Sequence, residues 1–461
     1  MLEFKRLDGT EPFLKDYFNL ANDKICDLSV GVRFMWRNDY KVDYAFYNDT
    51  LILKENNGKL KDGFYFPIGK DVSSALGKIE EYALKKRIPL TFCYLSEEKA
   101  EFLSRRYEKS VSEYDRDWSD YIYDAESFKS FSGKKYSGQR NHINKFKKNY
   151  PDYVFRELKS EDTGTMLAFL EEHKNTVENW DDEKKEEEKL TADYVENAFS
   201  LKQKAGGIFV ENKLVGMSIG EIIGDTLIVH IEKALKSYEG IYPTLANAFA
   251  NAFSENAKYI NREEDCGEEG LRVSKTQYHP IEIRNKYVLR AETEENAVAG
   301  IESFSADDLT VATIKKEDSP SYFALYTDET VNKFYGYDYR QDLKGDPTEK
   351  YFYDFQKGLK KSEGEYSFAV KKGEDFLGEI VAYDFKYDGS CAIGFRFFQK
   401  YWGTGVATKI VTATVKKLKE VGVKFVRAWA KKENARSIRL LLKTGFNKTR
   451  EDDEFFYYET E

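Results

Sequence analysis

Three stretches of the chain repeat one order of hydrophobic and polar positions. In each, apolar residues first alternate with polar ones, as in paired β-strands, and then recur at the 3.6-residue spacing of an amphipathic helix. A further strand, a second helix and a closing strand follow. The last copy runs YSFAVKKGEDFLGEIVAYDF, SCAIGFRFF, a glycine loop, a long helix, VKFVRAWA, a short helix and FFYYE. The pattern predicts an α/β (α+β) fold of mixed, mostly antiparallel sheets flanked by helices, repeated two or three times.

The middle copy runs GGIFVENKLVGMSIGEII, DTLIVHIEKA, a loop with Gly240, the helix PTLANAFANAFSENA, KYINREED and the closing strand KYVLRAE. The first copy is fainter and closes with the strand DYIYD. Between the second and third copies, the small and acidic stretch RAETEENAVAGIESFSA lacks apolar periodicity, as a linker does. We predict three units, over residues 1–150, 151–292 and 300–461.

Composition indicates a globular protein without a metal or disulfide framework. The chain has 461 residues, of which 41% are hydrophobic and 33% charged, with a net charge of −9. Its four cysteines and four histidines are scattered, so we predict no metal site and reduced thiols. The N-terminus has no apolar core of a signal peptide, and no run of about 18 apolar residues predicts a membrane helix. We expect a cytoplasmic location.

The glycine loop QKYWGTGVATKIV, at 399–411, raises the question of an anion site. Its two glycines stand where a helix begins, and unpaired backbone N–H groups at a helix start can converge on a phosphate. A lone Gly-x-Gly is equally compatible with a tight turn. By itself the loop leaves both interpretations open.

The loop and the residues that follow it resemble the motifs of a known family, and this resemblance favours the anion site. Tyr401, Trp402, Gly403 and Gly405 match the acyl-CoA signature of GNAT acetyltransferases, in the branch that modifies ribosomal-protein N-termini; Lys400 stands at the family's Gln/Arg position. Downstream, ENARSIRLLLKTGF is similar to the second motif of that branch, with Asn434, Ser437, Gly445 and Phe446 in register.

This resemblance implies acetyl-CoA as cofactor and transfer of its acetyl group to an amine of a small molecule or peptide. The implied cofactor-binding residues are Phe397, Phe398, Lys400, Trp402, Gly403, Thr404, Gly405, Val406, Ala407 and Asn434. Backbone N–H groups near Phe395 to Phe398 are expected to stabilise the oxyanion. Many GNAT enzymes place an acidic Tyr where this chain has Leu441, which leaves the Ser437 hydroxyl as the proton donor or as a helix-terminal residue bonded to its backbone. Glu379 is the candidate base, with an outward-facing carboxylate as the alternative.

A basic stretch near the end of the first unit, KKYSGQRNHINKFKK at 134–148, contains six Lys or Arg and no acid. Read as a helix from about Gln139, it carries Arg140, Asn144 and Lys147 on one side and Ile143 and Phe146 on another. It is either a solvated basic face or a contact for a phosphate backbone such as that of tRNA.

The same stretch, together with HIEKALKSYEGIYPTLANAFA and YINREEDCGEEGLRVSKTQYHP, resembles the C-terminal domain family of phosphatidylglycerol lysyltransferases over residues 1–290. It is closest to the soluble, uncharacterised bacterial branch. The resemblance implies two GNAT-like units in tandem, hence three in the chain, and an aminoacyl group donated by charged tRNA. Two departures stand out: the chain lacks the membrane-embedded domain of the lipid enzymes, and its counterpart of the glycine loop, SYEGIYPT, retains only Gly240.

The binding candidates implied by this family are Lys135, Arg140, Asn141, Asn144, Arg262, Glu263 and Arg272. Glu232, two residues after His230 on one predicted strand, is a candidate base or a member of a structural ion pair. We therefore expect an acyltransferase with an acetyl-CoA-dependent third unit. The first two units are either a second aminoacyl- or acyl-transferase or a non-catalytic module that binds tRNA or substrate. The acceptor and the oligomeric state stay open.

Overall fold

The computed structural model describes residues 2–176, 182–335, 340, 343, 346–362 and 364–460. The chain divides into two compact units, Met1–Arg290 and Ala291–Glu461. In the described part of the chain, no helix is both long enough and apolar enough to cross a bilayer.

The first compact unit contains two sheets. Its helices are α1 (Leu14–Ala21), α2 (Val30–Met35), α3 (Arg37–Tyr40), α4 (Val72–Lys86), α5 (Glu97–Arg106), α6 (Ala125–Ser130), α7 (Ser137–Asn149), α8 (Thr163–Lys174), α9 (Asp182–Asn197), α10 (Ile241–Phe253) and α11 (Glu269–Thr276). Its strands are β1 (Lys5–Arg6), β2 (Asp43–Tyr47), β3 (Thr50–Lys54), β4 (Phe64–Tyr65), β5 (Ile68–Gly69), β6 (Leu90–Leu95), β7 (Ser110–Tyr114), β8 (Asp120–Asp124), β9 (Val154–Glu157), β10 (Lys204–Val210), β11 (Lys213–Ile223), β12 (Thr226–Ala234), β13 (Tyr259–Asn261), β14 (Glu282–Arg284) and β15 (Tyr287–Ala291).

The second compact unit contains one sheet. Its helices are α12 (Glu295–Ala299), α13 (Ser319–Thr327), α14 (Glu329–Asn332), α15 (Glu349–Ser362), α16 (Val406–Glu420) and α17 (Ala435–Lys443). Its strands are β16 (Ser303–Ala306), β17 (Leu309–Thr313), β18 (Tyr366–Lys372), β19 (Asp375–Tyr383), β20 (Ser390–Phe397), β21 (Phe425–Lys431), β22 (Asn447–Glu451) and β23 (Phe455–Thr460).

The three sheets share one plan. Their strand orders are β1-β2-β3-β4-β6-β15-β7, with β5 beside β3; β14-β8-β13-β12-β11-β10-β9; and β16-β17-β18-β19-β20-β21-β23-β22. Each contains a parallel pair within largely antiparallel pairing: β4 with β6, β12 with β13, and β20 with β21. The predicted fold class, three mixed sheets flanked by helices, is confirmed.

The strands predicted to close the first two units each lie in the sheet of the other unit. Strand β8, read in the sequence as the end of the first unit, pairs with β13 and β14 of the second sheet. Strand β15, read as the end of the second unit, lies between β6 and β7 of the first sheet. The chain thus enters the second sheet at Asp120, before the boundary we predicted at residue 150. The alternation of apolar and polar residues identifies a strand. It does not specify the partner strand, because that pairing depends on residues far away in the chain.

Helix burial follows the predicted faces. The apolar residues that recur at helical spacing after the glycine loop form the inner side of α16: Ile410, Val411, Thr414 and Leu418 are buried, and Ala407 is half-buried. Helix α16 packs on the face of the third sheet that carries Ile393 and Val426, and helices α13 and α15 pack on the other face.

Candidate functional site

The glycine loop of the second compact unit is open at a helix start. Gly405, with φ of 89°, is the N-cap of α16, and Gly403 has φ of 76°. A Cβ built on either glycine would meet no atom within 4 Å. The first N–H groups of α16, those of Val406 and Ala407 among them, lack intrahelical partners because they stand at the helix start. Gly405 has no side chain that could cap them. They present the positive end of the helix dipole to an open space, as an anion site requires.

The rest of the loop is braced by its own side chains. Trp402 Nε1 donates to the Phe397 carbonyl at 2.8 Å, and Thr404 Oγ1 donates to the Tyr401 carbonyl at 2.7 Å. The guanidinium of Arg436 lies 4.8 Å from the centre of the Trp402 ring. This arrangement adds a cation beside the open N–H groups, so the residues present fit a pyrophosphate.

Beside the loop, two parallel strands pair at one end of their length. Ser390–Ala392 of β20 pair with Phe425–Arg427 of β21, although both strands continue further. The Phe398 N–H donates to the Leu377 carbonyl on the other side of β20, at 3.0 Å. Because N–H directions alternate along a strand, the N–H groups of Phe395 and Phe397 point toward the gap beside β21. Of the N–H groups expected to stabilise the oxyanion, those of Phe395 and Phe397 therefore remain. The Phe398 N–H is excluded because it already donates to the Leu377 carbonyl.

Asn434 and Ser437 meet at the start of α17. Asn434 is the N-cap of that helix, and its Oδ1 accepts a hydrogen bond from the Ser437 N–H at 3.1 Å. The side chain of Ser437 is half-buried, and Leu441 is fully buried in the core. The Asn434 side chain thus has a structural role as a cap, one that the sequence prediction did not include.

Glu379 does not face outward, which corrects the alternative drawn from the sequence. It is fully buried, and its Oε1 accepts from Arg396 Nε at 2.9 Å and Nη2 at 2.6 Å. Its other oxygen, Oε2, makes no hydrogen bond to any described residue. Arg396, which sequence reasoning missed, lies 3.5 Å from the Tyr326 ring centre and 4.2 Å from that of Tyr335. Glu379 could have been paired with it only by knowing the register of β19 and β20.

In the first compact unit, the counterpart of the glycine loop is closed. Gly240 is the N-cap of α10, with φ of 85°. A Cβ built on it would lie 2.2 Å from the His142 carbonyl oxygen, in α7. The basic helix of the sequence analysis therefore covers the position that is open at Gly405. Ile143 and Phe146 form its buried side, as predicted.

The gap beyond β12 and β13 is bridged by charged side chains. Thr226–Ile228 pair with Tyr259–Asn261, and beyond them Arg262 Nη2 donates to Glu232 Oε1 at 2.6 Å. His230 Nδ1 lies 2.7 Å from Glu263 Oε1, and its Nε2 lies 3.2 Å from Glu221 Oε1. Burial lowers the pKa of His230, but the hydrogen bonds to the two carboxylates outweigh it and raise that pKa to about 9. Imidazolium and carboxylates thus hold the two strands together across the gap.

A second buried cluster surrounds one ammonium group. Lys286 Nζ lies 2.7 Å from Asp27 Oδ2, 2.8 Å from Asp120 Oδ1, 3.1 Å from Cys26 Sγ and 3.3 Å from Glu264 Oε2. Burial raises the pKa of Asp120 to about 7, against the opposing effect of Lys286. The donor atoms of Cys26, Asp120 and Glu264 lie within 4.8 Å of one another, a spacing compatible with a metal. The Lys286 ammonium already provides the positive charge there.

The predicted binding residues of the first compact unit fall into separate groups. Glu232, Arg262 and Glu263 meet at the bridged gap, whereas Asn141 and Asn144 are exposed on α7. The remaining three have the following contacts: Arg140 donates to the Gly133 carbonyl at 2.6 Å, the Lys135 carbonyl lies 2.8 Å from His279 Nε2, and Arg272 pairs with Asp265 and Asp117.

Comparison with known proteins agrees with the division of the chain into two compact units. The family model described as "Phosphatidylglycerol lysyltransferase, C-terminal" matches residues 18–290, and that described as "Acetyltransferase (GNAT) domain" matches residues 308–447. No curated protein matches the chain.

Among solved structures, the chain is similar to a conserved protein of unknown function from Bacteroides thetaiotaomicron VPI-5482. The identity is 30% over 63% of this chain and 100% of that one, with a TM-score of 0.59. Two more distant similarities are L-PGS from Bacillus licheniformis (16% identity, 61% of this chain, 92% of that chain, TM-score 0.44) and Mycobacterium smegmatis RimJ in complex with CoA-disulfide (14%, 33%, 80%, TM-score 0.28). The two matched domains support a general acyltransferase assignment. With more than half of its length matched by the first model, the chain belongs to the phosphatidylglycerol lysyltransferase C-terminal family and carries a GNAT acetyltransferase domain after it.

Proposed function

We propose that the second compact unit is an N-acetyltransferase that transfers the acetyl group of acetyl-CoA to an amine. The observation that carries the proposal is the open glycine loop at the start of α16, beside the gap between β20 and β21. The N–H groups from Gly403 to Ala407 would hold the pyrophosphate, with Lys400 and Arg436 nearby. The Trp402 N–H already donates to the Gln399 carbonyl, at 3.0 Å. When bound, acetyl-CoA supplies a thioester carbonyl that an amine can attack.

The residues at the gap would serve this attack in distinct ways. The N–H groups of Phe395 and Phe397 point where a carbonyl oxygen would gain negative charge, and such fixed donors are a major source of rate. The Ser437 hydroxyl is our candidate for giving a proton to the leaving sulfur. Glu379 stays our candidate base, acting through Oε2, since Arg396 occupies its other oxygen.

Isothermal titration calorimetry with acetyl-CoA tests the assignment. We expect Gly403→Leu and Gly405→Leu to abolish measurable binding, because a side chain there fills the cradle and strains a left-handed residue. Gly373→Leu is the matched control: Gly373 also has a positive φ, of 57°, with open space around it, but lies in the β18–β19 turn. Unchanged affinity in the two loop variants would refute the cofactor assignment.

A second candidate function concerns the first compact unit, which we propose accepts an aminoacyl group from charged tRNA. Two observations favour it. Helix α7 exposes Lys147 and Lys148 to solvent. At the bridged gap, Arg262 Nη1 and Glu221 Oε2 are buried and bond to no residue that the structure describes. Buried polar atoms of opposite charge are suited to an amino-acid ligand, because an unmade hydrogen bond there is costly.

The alternative is that this unit binds tRNA or substrate without catalysis. Transfer of a radiolabelled aminoacyl group from charged tRNA to any acceptor would support catalysis, and retention of the label on tRNA despite tight binding would support the binding module. Both donors are used in the cytoplasm, where we therefore propose that the protein acts.

A further inference from the structure

The gap between β20 and β21 is closed at one end. The two strands pair at Ser390–Ala392 and Phe425–Arg427 and separate beyond these residues, toward the glycine loop. A donor whose pyrophosphate lies at that loop would therefore enter the gap at its open end, with its acyl group toward Ala392. There the hydrogen bonds between the two strands block further passage along the gap. A longer acyl chain would have to turn toward one of the two faces of the sheet.

The face of the sheet under α16 is filled. Ile393 and Ala428 are the first residues beyond the paired segment, and each belongs to the hydrophobic core and is 2% exposed. Ile410 of α16 lies in the same core and is fully buried. Protein cores are packed as densely as organic crystals, so a longer acyl chain would overpack this one. The chain would therefore turn to the opposite face, which we call the second face.

The second face is occupied at Gly394 by two tyrosine side chains. Because neighbouring residues of a strand point to opposite faces, Gly394 and Trp429 lie on this face. A Cβ built on Gly394 would lie 3.3 Å from the Tyr335 hydroxyl oxygen and 3.7 Å from a ring carbon of Tyr383. The Tyr383 ring meets the Trp429 ring edge to face, with centroids 5.4 Å apart. The space over Gly394 is thus filled to van der Waals contact, and one added methyl group would press on the Tyr335 hydroxyl.

The Tyr335 side chain is held in place by a buried network. Its ring centre lies 4.2 Å from the Arg396 guanidinium, and its backbone N–H donates to the Asn332 carbonyl at 2.9 Å. The same guanidinium donates to Asn332 Oδ1 and to the Glu379 carboxylate, at 2.6 Å in each case. Because Arg396 is buried and bonded on both sides, the Tyr335 ring cannot swing away without breaking these contacts.

We propose that the donor site accepts acetyl and propionyl groups but not longer acyl chains, and that Tyr335 sets this limit. The inference rests on the proposed acetyl-CoA site and deepens it, because it concerns the acyl group rather than the CoA moiety. A longer chain would have to pass the Tyr335 hydroxyl over Gly394, at the closed end of the gap. Where a pocket has room, each further buried CH2 group raises affinity about fourfold. Where the pocket is already filled, the added group weakens binding instead.

Isothermal titration calorimetry of the full-length protein with acetyl-, propionyl-, butyryl- and hexanoyl-CoA tests the limit. We expect similar affinities for acetyl- and propionyl-CoA, and an affinity for hexanoyl-CoA that is about tenfold lower. Tyr335→Phe keeps the ring against Arg396 and removes only the hydroxyl, so it should bind butyryl-CoA about fourfold more tightly than the wild type does. Tyr335→Leu opens more space and should raise the affinity for hexanoyl-CoA about tenfold. Both variants should bind acetyl-CoA as the wild type does.

Tyr366→Phe is the matched control. It removes a hydroxyl that donates to Glu295 at 3.1 Å, from a side chain in the core under α16, and should leave all these affinities unchanged. Equal binding of hexanoyl- and acetyl-CoA by the wild type would overturn the inference, as would a chain-length preference that neither Tyr335 variant alters. In both cases acetyl-CoA still binds and the proposed function stands. If acetyl-CoA itself does not bind to the wild type, the proposed function fails.

Discussion

Glu379 and Arg396 stand opposite each other on β19 and β20 and form an ion pair, with Nη2 and Oε1 2.6 Å apart, at a position closed to water. Arg396 also donates to Asn332 Oδ1 at 2.6 Å, and Asn332 in turn donates to the Leu325 and Asp328 carbonyls. The pair therefore links the sheet to helices α13 and α14, which lie on the face of the sheet opposite α16.

The first prediction concerns this pair. Arg396→Met leaves the Glu379 carboxylate buried and uncompensated, so we expect a loss of about 3–5 kcal/mol in the free energy of unfolding of the second compact unit. Denaturant unfolding measures it. Lys350→Met, which removes the exposed Lys350–Asp354 pair of α15, is the control and should cost less than about 0.5 kcal/mol. A comparable small loss for both variants would show that Arg396 is not required for stability.

The second prediction follows from His230. Its folded-state pKa of about 9 lies above its ordinary value of 6.5. The protonated form is thus favoured by folding, and this stabilisation is complete below about pH 6 and lost as pH rises through 9. We expect this stabilisation to amount to about 3 kcal/mol for this buried group.

Denaturant unfolding of the wild type and His230→Gln at pH 6 and pH 9.5 measures that difference. The stability advantage of the wild type should shrink at the higher pH. His142→Gln, at an exposed position, serves as the control. An advantage that is the same at both pH values would contradict the ion-paired state of His230.

The third prediction compares the two glycine loops. Gly240→Ala places a Cβ against the backbone of α7, which cannot yield as a flexible side chain can, whereas Gly405→Ala meets open space. Thermal unfolding should therefore show a loss of more than about 2 kcal/mol for Gly240→Ala and about 1 kcal/mol, from backbone strain alone, for Gly405→Ala. Equal losses would mean that α7 does not close the loop at Gly240.

The fourth prediction tests tRNA binding by the first compact unit. If α7 contacts the phosphate backbone, Lys147→Gln together with Lys148→Gln should reduce the slope of log affinity against log salt by about 2. Fluorescence anisotropy with labelled tRNA measures this slope. Lys59→Gln with Lys61→Gln, also exposed in this unit, should leave it unchanged. Absence of binding at low salt would discard the aminoacyl-tRNA proposal altogether.

Local features of the candidate site could be read from the sequence because they depend on short spacings. The interval between Gly403, Gly405 and the apolar stripe of α16 predicts a loop at a helix start, and the structure has one. Asn434 and Ser437 likewise lie within one helical turn of each other. Partners across the sheet could not be read in this way. Arg396 carries no local mark that assigns it to Glu379, and the bridge from His230 to Glu263 depends on where β12 and β13 stop pairing.

By itself, the sequence determined which segments become strands and helices and which of their sides are buried, since periodicity and turn residues act over a few positions. It also indicated that one loop appears twice, intact at Gly405 and reduced at Gly240. Tertiary structure decided what each copy does: α7 covers the loop at Gly240, while the loop at Gly405 stays open. It also decided that β8 and β15 exchange sheets. These outcomes depend on contacts between residues far apart in the chain, whose energies are set by packing and burial rather than by local pattern.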